Sequence, residues 1–395
     1  MDEQLIVFEQ FLLPQKVLQY SGLVYFKFQR RNGRLTSNCA SAFYVSIILV
    51  SIYYVFNCFD LVYSTWVGKP SSQNIAILCL TTYLCIRGLT LFFKHDDILT
   101  LFNDLDRIYP RDMATQAAME VSKVYKQHVQ RHNIIHYFSF TTLAMFCVMP
   151  VVLYIFDNER TGIITLEQQI VGGWFPFGIR QSHAAYPLVC LYDFKDAFVG
   201  LTFFATFDAI FNTIQENIIM HLDDLNRQVR ALNASDSNST SCDEFFEHIR
   251  SLVRRHQHLR KLCHKFNDFC KMCILLTDFV SALALCFHLV MLTETHNLMM
   301  IIKYLLPTLG LVLFTFDQCW RGTQLEQASL KFQQALFAHN WYMGSKKYRK
   351  FIILWLTQSQ RTMKISAYGL IDVNMVHFTD IMQLAYKLLA FLKSR

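Results

Sequence analysis

Residues able to do chemistry are few in this chain, and the sharpest cluster is Cys263-His264 followed by Cys270-x-x-Cys273. That spacing can offer thiolates and an imidazole to a metal ion. A closed zinc site needs four ligands, and no second C-x-x-C or H-x3-H follows at a matching distance. Most of the twelve cysteines lie inside apolar runs, where a thiol packs as a small hydrophobe. Neither a metal site nor a disulfide scaffold is expected. The sequence has no H-E-x-x-H, no G-x-S-x-G and no P-loop, so neither an enzyme nor a bound cofactor is expected.

The remaining chemical groups are charges in apolar company: Asp60, Arg87, Asp208, Asp278, His288 and Lys303 interrupt hydrophobic runs. An Asp, Lys or Arg at the centre of a membrane helix costs about 2.5–3.5 kcal/mol on insertion scales, so such groups should face protein or water. Asp60 and Lys303 are expected to snorkel from helix ends. For Arg87, Asp208 and Asp278 an interhelical pair or a water-lined vestibule is preferred to a direct ion path.

The elements that position these groups follow from composition. The chain has 395 residues, of which 53% are hydrophobic and only 17% charged, against about 45–50% and about 25% for soluble domains. Six runs are long and apolar enough to cross roughly 30 Å of hydrocarbon: Cys39–Tyr63, Ile75–Phe93, Ile134–Phe156, Ala197–Met220, Met272–Leu292 and Leu298–Phe316. A seventh, Ile365–Leu392, is less hydrophobic and carries Asp372, His377, Asp380 and Lys387. No internal repeat relates these runs, which disfavours an inverted-repeat transporter. The first residues lack a positive n-region and a cleavage site, so the first span is expected to insert uncleaved.

The net charge of +7 acquires meaning loop by loop. Lys and Arg concentrate on the cytoplasmic side of membrane proteins. Alternate connections hold 27 of the 37 basic residues, and the opposite set holds six. The N-terminus is therefore expected inside and the C-terminus outside, and the basic excess reports topology and not nucleic acid. That orientation is the reverse of a G-protein-coupled receptor. A D-R-Y triplet and an N-P-x-x-Y motif are also missing. The sequons at Asn233 and Asn238 fall in a polar stretch, 233–243, expected to be a mobile cytoplasmic loop and unmodified.

Aromatic and sulfur side chains are dense in spans two to six. Most must pack against protein or lipid, but a subset on interior faces can line an apolar pocket for a small volatile molecule. The candidates are Tyr83, Thr142, Met145, Phe146, Met149, Phe203, Phe204, Phe207 and Tyr304.

The second half of the chain resembles the insect odorant receptors. The residues that carry the likeness are Cys319-Trp320-Arg321-Gly322-Thr323-Gln324-Leu325, Ser329-Leu330, Ala335-Leu336-Phe337, Trp341, Tyr348-Arg349-Lys350, Leu354-Trp355-Leu356 and Ser359-Gln360, then the last span from Ala367-Tyr368-Gly369 to Leu392. Trp174-Phe175-Pro176-Phe177 resembles that family's second extracellular loop, and Ile249–His264 its cytosolic helix entering the fifth span. The resemblance implies an odorant-gated, non-selective cation channel subunit that pairs with a shared coreceptor in a heterotetramer. It further implies a plasma-membrane location in olfactory sensory neurons, an odorant pocket among helices two to six, and a last helix divided into cytosolic and pore-lining parts.

The expected architecture is thus an all-α polytopic membrane protein with seven transmembrane helices. Its parts are a cytosolic segment (1–38), a six-helix bundle with the pocket (39–316), a cytosolic anchor region (317–362, joined by loop 221–271) and a pore-lining seventh helix with a short extracellular end (363–395). Polar Gln318–Asn340 suits either a subunit interface or a surface helix lying on its own subunit, with Trp320, Leu325, Leu336 and Trp341 as anchor candidates. Lys346, Lys347, Arg349 and Lys350 suit lipid headgroups. In the last helix, steps of three and four from Asp372 pick out Met375, Thr379, Met382, Tyr386, Leu389 and Leu392 or Lys393. Alignment with the coreceptor's ending places Leu389 at a hydrophobic gate and Leu392 where the coreceptor has a selectivity glutamine. Lys387 and Lys393 are expected to face away from the lumen or to lie at the outer mouth. Gustatory receptors share the architecture, but the T-Y and Q-F of their last helix are missing here. That leaves a ligand-tuning odorant receptor subunit as the preferred reading, with a gustatory-type channel and a metabotropic receptor behind it.

Overall fold

The computed structural model describes residues 5–12, 26–31, 33–39, 41–66, 72–161, 164, 168–170, 182–238 and 242–394. A short α1 (Phe8–Leu12) precedes an antiparallel hairpin of β1 (Phe26–Arg31) and β2 (Arg34–Cys39). The helices that follow are α2 (Ser41–Trp66), α3 (Ser72–Phe93), α4 (His95–Ile108), α5 (Met113–Ala118), α6 (Val121–Thr161), α7 (Tyr186–Ala231), α8 (Cys242–Glu294), α9 (Leu298–Ala338), α10 (Lys346–Ser359) and α11 (Met375–Lys393).

Six of these helices, α2, α3 and α6 to α9, are long and apolar enough to cross a membrane. At 19 residues, α11 is about 28 Å long, close to the hydrocarbon thickness. Helices α6 to α9 have 41 to 53 residues each, too many for one crossing, so each continues well past the apolar layer. Two stripes show how sequence sets the faces. On α2, Ile48, Ile52, Val55, Phe59 and Val62 are exposed in steps of three and four, a face made for lipid. On α4 the same spacing does the opposite: Ile98, Leu101, Phe102 and Leu105 are buried beneath charged neighbours. The Asp112 carboxylate caps α5 by accepting the Thr115 N–H at 2.8 Å. Hydrogen bonds from the Thr115 hydroxyl and backbone hold that carboxyl below its ordinary range.

Helices α3 and α7 approach closely through small residues. A Cβ on Gly88 would lie 2.5 Å from a Phe203 ring carbon, and one on Gly200 would lie 2.9 Å from Leu84. Small residues at such crossings allow the dispersion contacts that drive association in lipid.

Three expectations are corrected. The run Ile365–Leu392 is not one helix: Ser366–Ala367 and Ile371–Asp372 pair as strands β3 and β4. Tyr368 and Gly369 turn the chain at φ of 56° and 71°, the two central residues of a turn closed by the Leu370 N–H on the Ala367 carbonyl at 3.0 Å. The helix proper starts at Met375, where Asn374 accepts the N–H groups of Val376 and His377, each at 3.1 Å, an N-cap that fixes its first turn. Lys303 does not snorkel: it is 1% exposed and its Nζ donates to the Gln169 carbonyl at 2.9 Å, a bond that stands in for hydration of the buried ammonium. Nor is 233–243 a mobile loop as far as it is described. Ala234–Asn238 is a 3-10 turn with Ala234 and Ser237 buried, and Ser237 Oγ accepts the Ser345 N–H at 2.8 Å. The Trp174–Phe177 motif lies outside the described residues.

Candidate ligand pocket and pore helix

An apolar cavity of about 110 Å³ lies among five helices. Each of four helices lends one face, at helical spacing: Ile77, Leu80 or Thr81 and Leu84 from α3; Ser139, Thr142 or Leu143 and Phe146 from α6; Ala197, Leu201 and Phe204 from α7; Pro307, Gly310 or Leu311 and Phe314 from α9. Tyr53 of α2, Tyr83 of α3 and Asp196 of α7 complete the wall. The few hydroxyls are largely spent on the protein. Thr81 Oγ1 donates to the Leu78 carbonyl at 3.0 Å, Ser139 Oγ to Ile135 at 2.7 Å, and Tyr53 Oη to Asp193 at 3.2 Å. Side chains that bond back to their own helix present methyl and methylene surface to the cavity.

Four of the sequence candidates meet here: Tyr83, Thr142, Phe146 and Phe204. The others point elsewhere. Phe203 packs on Gly88 and, edge to face, on Phe43. Phe207 stacks on Phe269 with ring centroids 5.8 Å apart. Tyr304 is buried in a separate cluster with Leu153 and Met300. Met145 and Met149 are half-buried on α6 and do not line the cavity. Tyr53, Ala197, Leu201, Gly310, Leu311 and Phe314 were missed. Their signal was available as the three-to-four spacing through small residues and Pro307, but only packing tells an inward face from a lipid one.

The charged groups within the spans have partners. Arg87 donates to Tyr83 Oη at 2.6 Å and to Gln318 Oε1 at 3.2 Å. Asp208 accepts from Asn212 at 2.8 Å, and Asp60 from Asn74 at 2.5 Å. Asp278 of α8 meets His377 of α11 at 2.7 Å. Cys263, Cys270 and Cys273 are buried free thiols packed in the largest core cluster.

The C-terminal motif builds a mount for α11. Arg321, 2% exposed, reaches Glu216 at 2.7 Å and Asp317 at 3.3 Å. His128 pairs with Glu216, and Arg131 with Asp317 at 2.5 Å. Gly322 lies against the Val373 carbonyl, and Thr323 Oγ1 accepts the Met375 N–H at 3.0 Å. Asn267 of α8 accepts the Ser366 N–H at 3.3 Å and donates to the Lys364 carbonyl at 2.9 Å.

Along α11, Ile381 and Ala385 are buried, and Met382 is half-buried in the same cluster as Tyr83, Phe204 and Leu311. Leu389 is half-buried, while Tyr386, Lys387, Leu392 and Lys393 are exposed. Of the anchor candidates, Leu325 and Leu336 are buried in the chain's own core, Trp341 packs at its edge, and Trp320 is exposed and stacks on Phe316.

Comparison with known proteins agrees with this architecture. Odorant receptor 88a of Drosophila melanogaster is 42% identical over 394 residues, covering 98% of this chain and 97% of that one. Odorant receptor 85b of the same species is 22% identical over 84% of this chain and 85% of its own length. The olfactory receptor OR5 of Machilis hrabei in complex with eugenol superposes with a TM-score of 0.77 at 17% identity, covering 98% of this chain and 97% of that one. The family model described as 7tm Odorant receptor matches residues 69–386. The chain is a multi-pass membrane protein and belongs to the 7tm odorant receptor family, a family of receptors and not of enzymes.

Proposed function

We propose that this chain is the ligand-tuning subunit of an odorant-gated cation channel. It binds a small volatile molecule in the five-helix cavity and assembles with a shared coreceptor as a heterotetramer. Its place is the plasma membrane of olfactory sensory neurons, N-terminus inside. The observation that carries the reading is a shared cluster: Tyr83, Phe204 and Leu311 line the cavity and belong to one hydrophobic cluster that also holds Ala385 of α11, with Met382 packed against it. A molecule that moves those side chains acts on the helix whose exposed face is free to line a pore. Cytosolic extensions of α7 to α9 together with α10 form the anchor between subunits. Leu330, Phe337, Ile353 and Leu354 are exposed there, apolar area that a monomer in water would otherwise leave uncovered. In this reading the anchor region reaches to 362 and the pore segment begins at 363.

The test is voltage clamp of cells expressing the chain with and without the coreceptor, against a panel of volatile alcohols, aldehydes, ketones, esters, acids, amines and terpenoids. Cation current that needs both subunits is expected; second-messenger signals without the coreceptor would refute the channel. The cavity is probed through Gly310. An added Cβ there meets ring carbons of Phe138 and Phe314 at 3.6 Å, ordinary contact, so Gly310→Ala is expected to reach the surface normally. Gly310→Leu fills the space and is expected to remove the response to the bulkiest agonists first. Equal responses from both variants would place the ligand elsewhere. At the pore, Leu389→Ala is expected to raise ligand-free current by thinning a hydrophobic constriction that closes through dewetting; an unchanged basal current counts against Leu389 as the gate.

A further inference from the structure

Arg87 is the cation closest to the cavity wall's machinery, and its setting is unusual for a charge in a membrane bundle. Its side chain is 3% exposed. Three aromatic rings enclose the guanidinium, with Cζ 4.7 Å from the Tyr83 centroid, 4.8 Å from Phe204 and 5.1 Å from Phe207. Among the described residues no carboxylate pairs with it; its hydrogen bonds go to Tyr83 Oη and to Gln318 Oε1. Ring faces and neutral oxygens replace hydration for this ion, and their attraction is strongest where water is excluded.

Two rings of that cage, Tyr83 and Phe204, are cavity wall. Gln318 stands on α9, and five residues on, Thr323 holds the first N–H of α11. Arg87 therefore touches the binding site on one side and, through Gln318, the helix that carries the mount of α11 on the other. We propose that Arg87 is a positioning residue that couples cavity occupancy to α11, an inference that rests on the odorant-gated reading. A ligand displacing either ring loosens one wall of the cage, and the guanidinium shifts its weight onto Gln318. The linkage works only through this difference in contact between the empty and filled states. An aliphatic or neutral side chain at the position would leave the rings but not the linkage.

The experiment records agonist-evoked current from cells expressing the chain with the coreceptor, with surface labelling of every variant. The agonist is the first that wild type yields from the panel above. Arg87→Gln is expected to lower maximal current by about tenfold at normal surface level, with the half-maximal concentration much less affected. Arg87→Lys, still a cation over the rings, is expected to restore most of the current. Tyr83→Phe keeps the ring and loses the hydroxyl, and its effect is expected to be non-additive with Arg87→Gln. Full current from Arg87→Gln at wild-type surface level overturns the proposal. Absence of both Arg87 variants from the surface also overturns it, because it assigns Arg87 to folding alone. A wild-type chain silent across the whole panel instead refutes the reading on which the coupling rests.

Discussion

Gly322→Ala is expected to disable the protein. A Cβ at this position would stand 1.8 Å from the Val373 carbonyl oxygen and 2.9 Å from its carbon. Those atoms are backbone, so no rotamer change relieves the contact. The hairpin Ser366–Asp372 cannot retreat freely either. Ser329 Oγ accepts the Met363 N–H at 2.9 Å, Asn267 clamps Lys364 and Ser366, and Thr323 holds Met375. Moving the hairpin by the ångström or more that alanine demands breaks several of these bonds together. Overpacking of a close contact costs typically about 1–3 kcal/mol and occasionally more, and this site is expected at or above the top of that range. The measurement is thermal stability of detergent-purified protein beside surface expression, with Gly310→Ala as the control. A Gly322→Ala protein as stable as Gly310→Ala would show that α9 and the hairpin are not in such close approach.

The sequence conveys some of this arrangement and hides the rest, for physical reasons. Span limits are legible because hydropathy is local: Cys39–Tyr63 and Ile75–Phe93 were expected where α2 runs Ser41–Trp66 and α3 runs Ser72–Phe93. The hairpin before α11 was not, because its turn offers only the single glycine Gly369 beside Tyr368 at positive φ, between strands of two residues with no period to detect. The cavity was half legible. Aromatic density marked the right helices, but Phe203, Phe204 and Phe207 are equally hydrophobic, and only Phe204 lines the cavity. Which face of α7 turns inward is decided by Gly88 and Gly200, whose missing side chains let α3 settle against it. The motif Trp320–Thr323 was legible as a likeness, whereas its work appears only in three dimensions: Arg321 in an ion network, Gly322 under a carbonyl, Thr323 on the first N–H of the last helix.

Arg321→Leu carries the second large effect. The guanidinium is the centre of a chain of charges in which His128 and Arg321 share Glu216, while Arg321 and Arg131 share Asp317. Removing one member of a buried pair and leaving its partner wholly uncompensated costs about 3–5 kcal/mol, an upper bound here because Glu216 keeps His128 and Asp317 keeps Arg131, whereas replacing both partners with apolar groups of similar size is often close to neutral. The single variant is therefore expected to unfold at markedly lower temperature than wild type. The double variant Arg321→Leu with Glu216→Leu is expected to recover part of the loss. Recovery stays partial because His128 loses its carboxylate and Asp317 keeps only Arg131. A double-mutant cycle on melting free energies reads the coupling directly, since neighbouring groups in one ionic network depart from additivity by about 0.5–3 kcal/mol. Additive losses, or a single variant as stable as wild type, would show that Arg321 is not bound into this network. A positive cycle with normal stability of Trp320→Ala, whose ring is exposed, would assign the motif's structural weight to its arginine and glycine, leaving the tryptophan available for contact with a neighbouring subunit or lipid.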